Sequence, residues 1–407
     1  MLLYWIWLSE LKNVSLLQKH RLLEKFGSPE ELYHTDRAVL QNLDISQSVQ
    51  QALQEKDLRP AERILRACAD LEIGLLPLTD VAYATKLRNT TDAPLLLYYK
   101  GILPDWESRP FVGIVGTRKA TAYGLQTARQ MGRQIASSGG VVVSGCAAGG
   151  DAAAMWGALE ANAPVVGILG GGVDVVYPAQ NRKLFQAILS QGGCLFSEYP
   201  PGSEPLPWHF PERNRIISGL SNGILVVEAP KKSGTLITAR HALEQGRDVF
   251  VVPGNINTAS CEGSNLLLQE GAMAVLSGWD VLCTYEYLYP GKLTPRLKTH
   301  DFNRGQMNTN VAQNPVTPAP DMEKREKTRK KLVDKQPISS YSVLENKEIV
   351  LTEIEQTVLA QLTTEPQEPA ELIAKLSLPA GKVLSALTML TVKGIVRKHP
   401  GGRISIL

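Results

Sequence analysis

The stretch GILVVEAPKKSGTLITARHALEQGRDVFVVPG (Gly223–Gly254) joins two short apolar runs, GILVVEA and DVFVVPG, through a segment with helical patterning. Each run is apolar at consecutive positions, so both of its faces require burial, as in a strand inside a parallel sheet. A parallel pair needs a crossover, and the helical segment supplies one. The same alternation extends outward. FVGIVG, GVVVSG, PVVGILGGG and CLFSEY precede the stretch and MAVLSG follows it, between about Phe111 and Gly278, with helical segments between them. This pattern predicts an α/β domain with a doubly wound, mainly parallel sheet covered by helices on both faces. In such sheets ligands bind beyond the carboxyl ends of the strands, where glycine-rich turns lie.

A chain of 407 residues exceeds one ordinary core, so two or three domains are expected. Residues 1–75 read as a small helical domain of the SAM or helix-hairpin kind. SLLQKHRLLEKFGSPEEL has leucines at helical spacing, a Gly27 stop, and Ser28-Pro29 as the cap and first-turn proline of the next helix. The α/β domain is set at 76–288. From 289 to 348 proline, asparagine and threonine accumulate, followed by EKREKTRKK (Glu323–Lys331), which reads as a solvated linker. Residues 349–407 regain order. EIEQTVLAQL, PAELIAKL and AGKVLSALTMLTVKG are amphipathic helices, and IVRKHPGGRISIL reads as a hairpin turning at Pro400–Gly402. Three helices and a hairpin make a winged helix.

The apolar and charged fractions, 43% and 20%, are those of a globular protein, and a net charge of +3 is only mildly basic. Any nucleic-acid site must therefore come from local clustering of cations. The five cysteines are scattered without a CxxC pair. That argues against a zinc site or a disulfide framework and suits a reducing cytoplasm. MLLYWIWLSELKN at the start has no basic leader, and reads as the first turns of a buried helix rather than a signal peptide. No stretch approaches the roughly 18–20 apolar residues that span a bilayer. Neither metal nor cofactor is expected.

Several glycine-rich turns follow the apolar runs. In GIVGTRKATAYG (Gly113–Gly124), Gly116 admits a close ligand and Arg118 offers a fork suited to phosphate; the bland alternative is a tight turn with a solvated arginine. In SGCAAGGDAAA (Ser144–Ala154), Ser144 and Gly145 precede a helix whose start Asp151 caps more plausibly than it catalyses. GGGVDVVYPAQN (Gly170–Asn181) places Gly171 at a third close approach. None of these turns fits G-x-G-x-x-G at the right spacing, and G-x-x-x-x-G-K-[ST] is absent, which speaks against an ordinary NAD site and a P-loop. Lys232, Ser233, Gly234 and Thr235 stand at another helix start.

HFPERNRIISGLSN (His209–Asn222) sets a cationic cluster directly before the apolar GILVVEA run. Arg213, Asn214 and Arg215 could hold phosphate while Phe210 stacks on a base. Alternatively, Phe210 packs beneath a loop and Arg215 pairs with Glu198 or Glu228. Several phosphate sites in a row suit a polymer better than a mononucleotide.

These blocks, in this order, together with SEYPPGSEP and EGSNLLLQEGA, resemble the DNA-processing protein A (DprA/Smf) family over roughly residues 73–285. The resemblance implies an extended Rossmann-like core that binds single-stranded DNA, loads RecA during natural transformation, dimerises through that core and is not an enzyme. It assigns the DNA pocket to Arg118, to Phe210, Arg213, Asn214 and Arg215, and to the Lys232–Thr235 loop. The chain departs from the family pattern S-G-x-A-R-G-I-D-x-x-A-H at Ala148, Gly150 and Met155, so one basic contact fewer is expected beside the second strand. An alternative reading is a nucleotide phosphoribohydrolase of the lysine decarboxylase-like group. Its P-G-G-x-G-T-x-x-E motif needs a carboxylate where this chain has Thr238. A duplex-reading regulator is a third class, but the candidate recognition helix carries only Lys382 and Lys393.

Overall fold

The computed structural model describes residues 1–295 and, further on, 352–363, 365, 367–376, 378, 383, 386, 387, 389, 390, 395–398 and 404–406. The chain divides into two compact units, Met1–Met307 and Asn308–Leu407. The basic run at 323–331 and the expected turn at 400–402 lie outside the described residues, as does 296–348 of the expected linker.

In the first unit, six helices come first: α1 (Leu2–Glu10), α2 (Leu16–Phe26), α3 (Pro29–His34), α4 (Arg37–Gln41), α5 (Gln47–Gln54) and α6 (Arg59–Asp70). Local rules explain their boundaries. Gly27 ends α2 at φ +79°, and the Ser28 hydroxyl accepts from the Glu31 N–H ahead of a first-turn Pro29. Trp5, Ile6, Trp7 and Leu8 of α1 are all buried, so this helix is surrounded rather than one-sided.

Next come β1 (Gly74–Pro77), α7 (Thr85–Arg88), β2 (Leu96–Gly101), β3 (Phe111–Val115), α8 (Ala122–Ser137), β4 (Val141–Ser144) and α9 (Gly150–Glu160). They are followed by β5 (Val165–Leu169), α10 (Arg182–Ser190), β6 (Cys194–Ser197), α11 (His209–Leu220), β7 (Gly223–Val226), α12 (Gly234–Glu244), β8 (Asp248–Val251), α13 (Glu262–Gln269), β9 (Met273–Ala274) and α14 (Gly278–Leu282). All nine strands form one sheet in the order β1-β2-β6-β5-β4-β3-β7-β8-β9. From β6 to β9 every pairing is parallel, while β1 and β2 add an antiparallel edge. All seven apolar runs from 111 to 278 are strands, as their patterning predicts. The two edge strands, from IGLLP and APLLLYYKG, were not anticipated.

Strand residues alternate between two cores. Val112 and Ile114 of β3 join a cluster with α8, α9, α10 and the N-terminal helices, whereas Phe111 and Val115 face α11, α12 and α13. The N-terminal helices thus share a continuous apolar core with the sheet. Tyr289 and Leu293, at the start of the expected linker, are also buried there.

The second unit has α15 (Glu353–Leu359), α16 (Pro369–Lys375), β10 (Val396–Lys398) and β11 (Ile404–Ile406). The two strands pair antiparallel. Val358, Leu372, Val383, Ala386, Leu387, Leu390, Val396 and Ile404 build its core. The spacing of Val383, Ala386, Leu387 and Leu390 is that of one helical face.

Helices α8 and α9 pack backbone to backbone. A Cβ on Gly132 would collide with the Ala154 carbonyl, and one on Gly157 with the Arg129 carbonyl. Gly157→Ala should therefore lower stability by about 1–3 kcal/mol through overpacking. It should appear as a reduced urea midpoint with an unchanged slope; an unaltered midpoint would show that the two helices tolerate separation.

Candidate functional site

The chain runs outward from β3 to β6 and then returns to place β7 on the other side of β3. This reversal opens a crevice at the carboxyl ends of β3 and β7. A cleft of about 410 Å³ occupies it, walled by the Gly116–Lys119 loop, by one face of α11, and by the Pro230–Ser233 loop with the first turn of α12.

The first loop is held from behind. The Glu228 carbonyl accepts from Thr117 N–H at 2.8 Å. Its buried carboxylate accepts from Thr121 N–H at 2.9 Å and from the Thr121 hydroxyl at 2.6 Å. The same hydroxyl accepts from Gly124 N–H and caps α8. With its backbone fixed, Arg118 projects into solvent and makes no ion pair with any described residue. Its guanidinium carbon lies 4.8 Å from the centroid of the Phe210 ring, a cation–π contact.

On α11, Phe210, Arg213, Asn214 and Ile217 face the cleft, at i, i+3, i+4 and i+7. Arg213 is buried and donates to the Gly145 carbonyl at 2.8 Å. Asp151 lies beside it, accepting from the Gly116 and Gly145 amides, both at 3.2 Å. Burial pushes the Asp151 carboxyl up and the Arg213 guanidinium down, each against their mutual attraction. Both side chains converge on the bare Cα of Gly145, where a Cβ would stand 2.7 Å from Asp151 Oδ2. Asn214 donates to the Gly234 carbonyl at 3.2 Å and ties α11 to the start of α12. Across the cleft, Lys232 is exposed without an ionic partner among the described residues, whereas Lys231 pairs with Glu262 at 3.5 Å. Ser233 precedes α12, and its buried hydroxyl has no hydrogen-bond partner among the described residues.

A second cavity, about 230 Å³, shares Arg118, Ala147 and Phe210 with the first and continues over the ends of β4 and β5. It is more apolar. Gly145, Gly170, Gly171, Leu169, Val175 and Tyr177 contribute to its wall. The rings of Tyr177 and Phe210 are 5.5 Å apart.

Of the residues singled out from sequence, Gly116, Arg118, Phe210, Arg213, Asn214, Lys232, Ser233, Gly234 and Thr235 surround the cleft, and Gly145 and Gly171 line the adjoining cavity. Two do not join them. Arg215 points away, 2.6 Å from Glu198 and 3.6 Å from Asp92, with a side chain 11% exposed. Burial alone would lower its pKa, but those two carboxylates outweigh it and raise it. Ser144 is fully buried and its hydroxyl donates to the Ile114 carbonyl at 2.6 Å, so it links β4 to β3. Lys119 and Tyr177 line the two cavities without having been singled out. Tyr177 stands in the GGGVDVVYPAQN block, but a single aromatic after a glycine run carries no periodicity that marks it.

Residues 74–286 match the family of DNA recombination-mediator protein A, and residues 345–402 match the DprA winged helix domain. Protein Smf of Synechocystis sp. is 33% identical over 98% of this chain and 97% of its own length. DNA processing protein DprA of Bacillus subtilis is 40% identical over 54% of this chain and 73% of its own. Among solved structures, DNA processing protein A from Streptococcus pneumoniae superposes with a TM-score of 0.61 at 33% identity, covering 70% of this chain and 98% of that one.

Replacing Arg215 by alanine leaves Glu198, itself only 24% exposed, without its buried partner. The expected loss is about 3–5 kcal/mol of stability, read as a lower urea midpoint. A normally stable Arg215→Ala protein with impaired ligand binding would instead return this arginine to the cleft.

Proposed function

The chain belongs to the family of DNA recombination-mediator protein A, and on that premise we propose that the cleft at the β3–β7 crevice binds single-stranded DNA. One observation carries this reading. Arg118 and Lys232 reach the same cleft from different loops, each exposed and free of carboxylate partners among the described residues. A cation already paired internally gains little from a phosphate, whereas an unpaired one forms a charge-assisted bond directly. The Ser233 hydroxyl and the first turn of α12 add uncharged donors. Phe210, between the two cavities, supplies a ring on which a base of any sequence can stack.

Binding of this kind is largely sequence-independent and salt-sensitive, because phosphate contacts dominate it. It favours single strands, since a base within a duplex cannot present its face to Phe210. Carrying the strand to RecA recombinase, in a homodimer and in a cytoplasm that keeps the five cysteines reduced, completes the reading. RecA and the homodimer are drawn from the family resemblance, and the cytoplasm from the scattered cysteines. The phosphoribohydrolase alternative has less behind it. The residue at the position of its carboxylate, Thr238, is buried and turns its hydroxyl to the Gly234 carbonyl at 3.3 Å. Asp151, the carboxylate among the cleft-lining residues, spends its oxygens on backbone amides.

Fluorescence polarisation of oligo-dT and a matched duplex at two salt concentrations tests the proposal. Oligo-dT should bind tighter, and Arg118→Ala should weaken it about 10-fold or more and flatten the salt slope by about 0.7. Equal affinity of wild type and Arg118→Ala would reject the cleft as the site. Free base released from a nucleoside monophosphate would favour the enzyme.

A further inference from the structure

The segment leading into α11, PLPWHFP (Pro205–Pro211), sets three rings in succession. Phe210 lines both cavities. His209 places Nδ1 3.1 Å from the Gly170 carbonyl and stacks on Tyr199 at 3.7 Å between centroids. Trp208 does neither. It is 58% exposed, while Trp5, Trp7 and Trp106 are 4%, 4% and 8% exposed and Trp156 and Trp279 are partly buried. Trp7 and Trp106 donate their indole N–H to backbone carbonyls, but that of Trp208 has no partner among the described residues.

An exposed tryptophan alone is ordinary, but the position of this one is not. Pro207 before it and Phe210 two residues after it both line the cation-bearing cleft. The indole is also braced. It stands edge-on to His209 at 5.9 Å and 82°, and the Tyr199 beneath His209 donates its hydroxyl to Glu212 at 2.9 Å. Pro205, Pro207 and Pro211 restrict the backbone on either side. A ring held in place with its surface in water is pre-organised for stacking and loses little conformational freedom on binding.

We propose that Trp208 is a second stacking surface of the same nucleic-acid site, taking a base that flanks the nucleotide held in the cleft. The inference rests on the cleft being a single-strand site and extends that site around its rim. Cations supply phosphate affinity inside the cleft; the indole adds sequence-tolerant base affinity outside it. Its removal should therefore reduce affinity without altering the salt slope, in contrast to removal of Arg118.

The test uses the full chain and oligo-dT. On binding, the quenchable tryptophan emission of the wild type should fall and become protected from acrylamide, and Trp208→Phe should abolish this change while keeping affinity within about 3-fold. Trp208→Ala should weaken binding about 5- to 50-fold with an unchanged salt slope and an unchanged melting temperature. If wild type binds and Trp208→Ala binds equally well, or if the emission change survives in Trp208→Phe, the rim assignment is wrong and the cleft reading stands. If the wild type does not bind oligo-dT at all, the cleft reading itself fails.

Discussion

The site depends on the close approach of two stretches of backbone. The loop after β3 and the start of α9 lie backbone on backbone. Gly150 donates to the Thr117 carbonyl at 3.2 Å, and a Cβ on Gly150 would stand 2.8 Å from the Cα of Gly116. Gly149 adopts φ +84°, which favours glycine, and a Cβ there would meet the Arg118 carbonyl at 2.7 Å. Larger residues would force the two turns apart and tilt Arg118 out of the cleft. From the other side, Glu228 holds the same loop through Thr117 and Thr121. A cation that must remain free to meet a phosphate cannot be oriented by an ion pair of its own. Here its backbone is oriented instead, and among the described residues the side chain's partner is the face of Phe210.

Helix α11 shows how one element serves two purposes. Successive residues turn by about 100°, so side chains two apart point to nearly opposite sides. Arg213 thus enters the cleft while Arg215 reaches Glu198 and Asp92 on the flank toward the N-terminal helices. Treating FPERNR as one cationic patch ignored that geometry. The sequence contained the information needed to separate them, since Phe210, Arg213, Asn214 and Ile217 obey a helical stripe that excludes Arg215.

Much of the architecture was legible because burial on both faces leaves an unmistakable apolar run, and each of the seven such runs is a strand. β1 and β2 escaped notice for a different reason. Their runs are as apolar as the others, but no crossover helix joins them, and antiparallel addition to the edge at β6 is set by contacts distant in sequence. Ser144 was misread in a related way. A serine at a strand end looks available, yet its hydroxyl is consumed by the carbonyl of Ile114 on the neighbouring strand, and a one-dimensional pattern does not register that partner. The helical start was recognised as helical, whereas its shared core with the sheet follows from packing alone.

Two of the three departures from the family pattern in the second turn, Met155 and Ala148, have unequal consequences. Met155 is fully buried among α9 and its neighbours in the core, so a histidine's absence there bears on packing more than on the cleft. Ala148, by contrast, lines the second cavity, where an arginine would add a second cation beside Arg118. With alanine in its place, the cations that line the two cavities are Arg118, Lys119, Arg213 and Lys232, and only Arg118 is shared with the second. The division is therefore chemical as well as spatial. Coulombic attraction is concentrated in the first cavity, and the second offers apolar and aromatic surface beside it. A chain whose net charge is only +3 attracts a polyanion weakly at long range. On the proposed reading, selectivity for a strand that exposes both phosphates and bases comes from this short-range pairing of surfaces, with Arg118 on the wall between them.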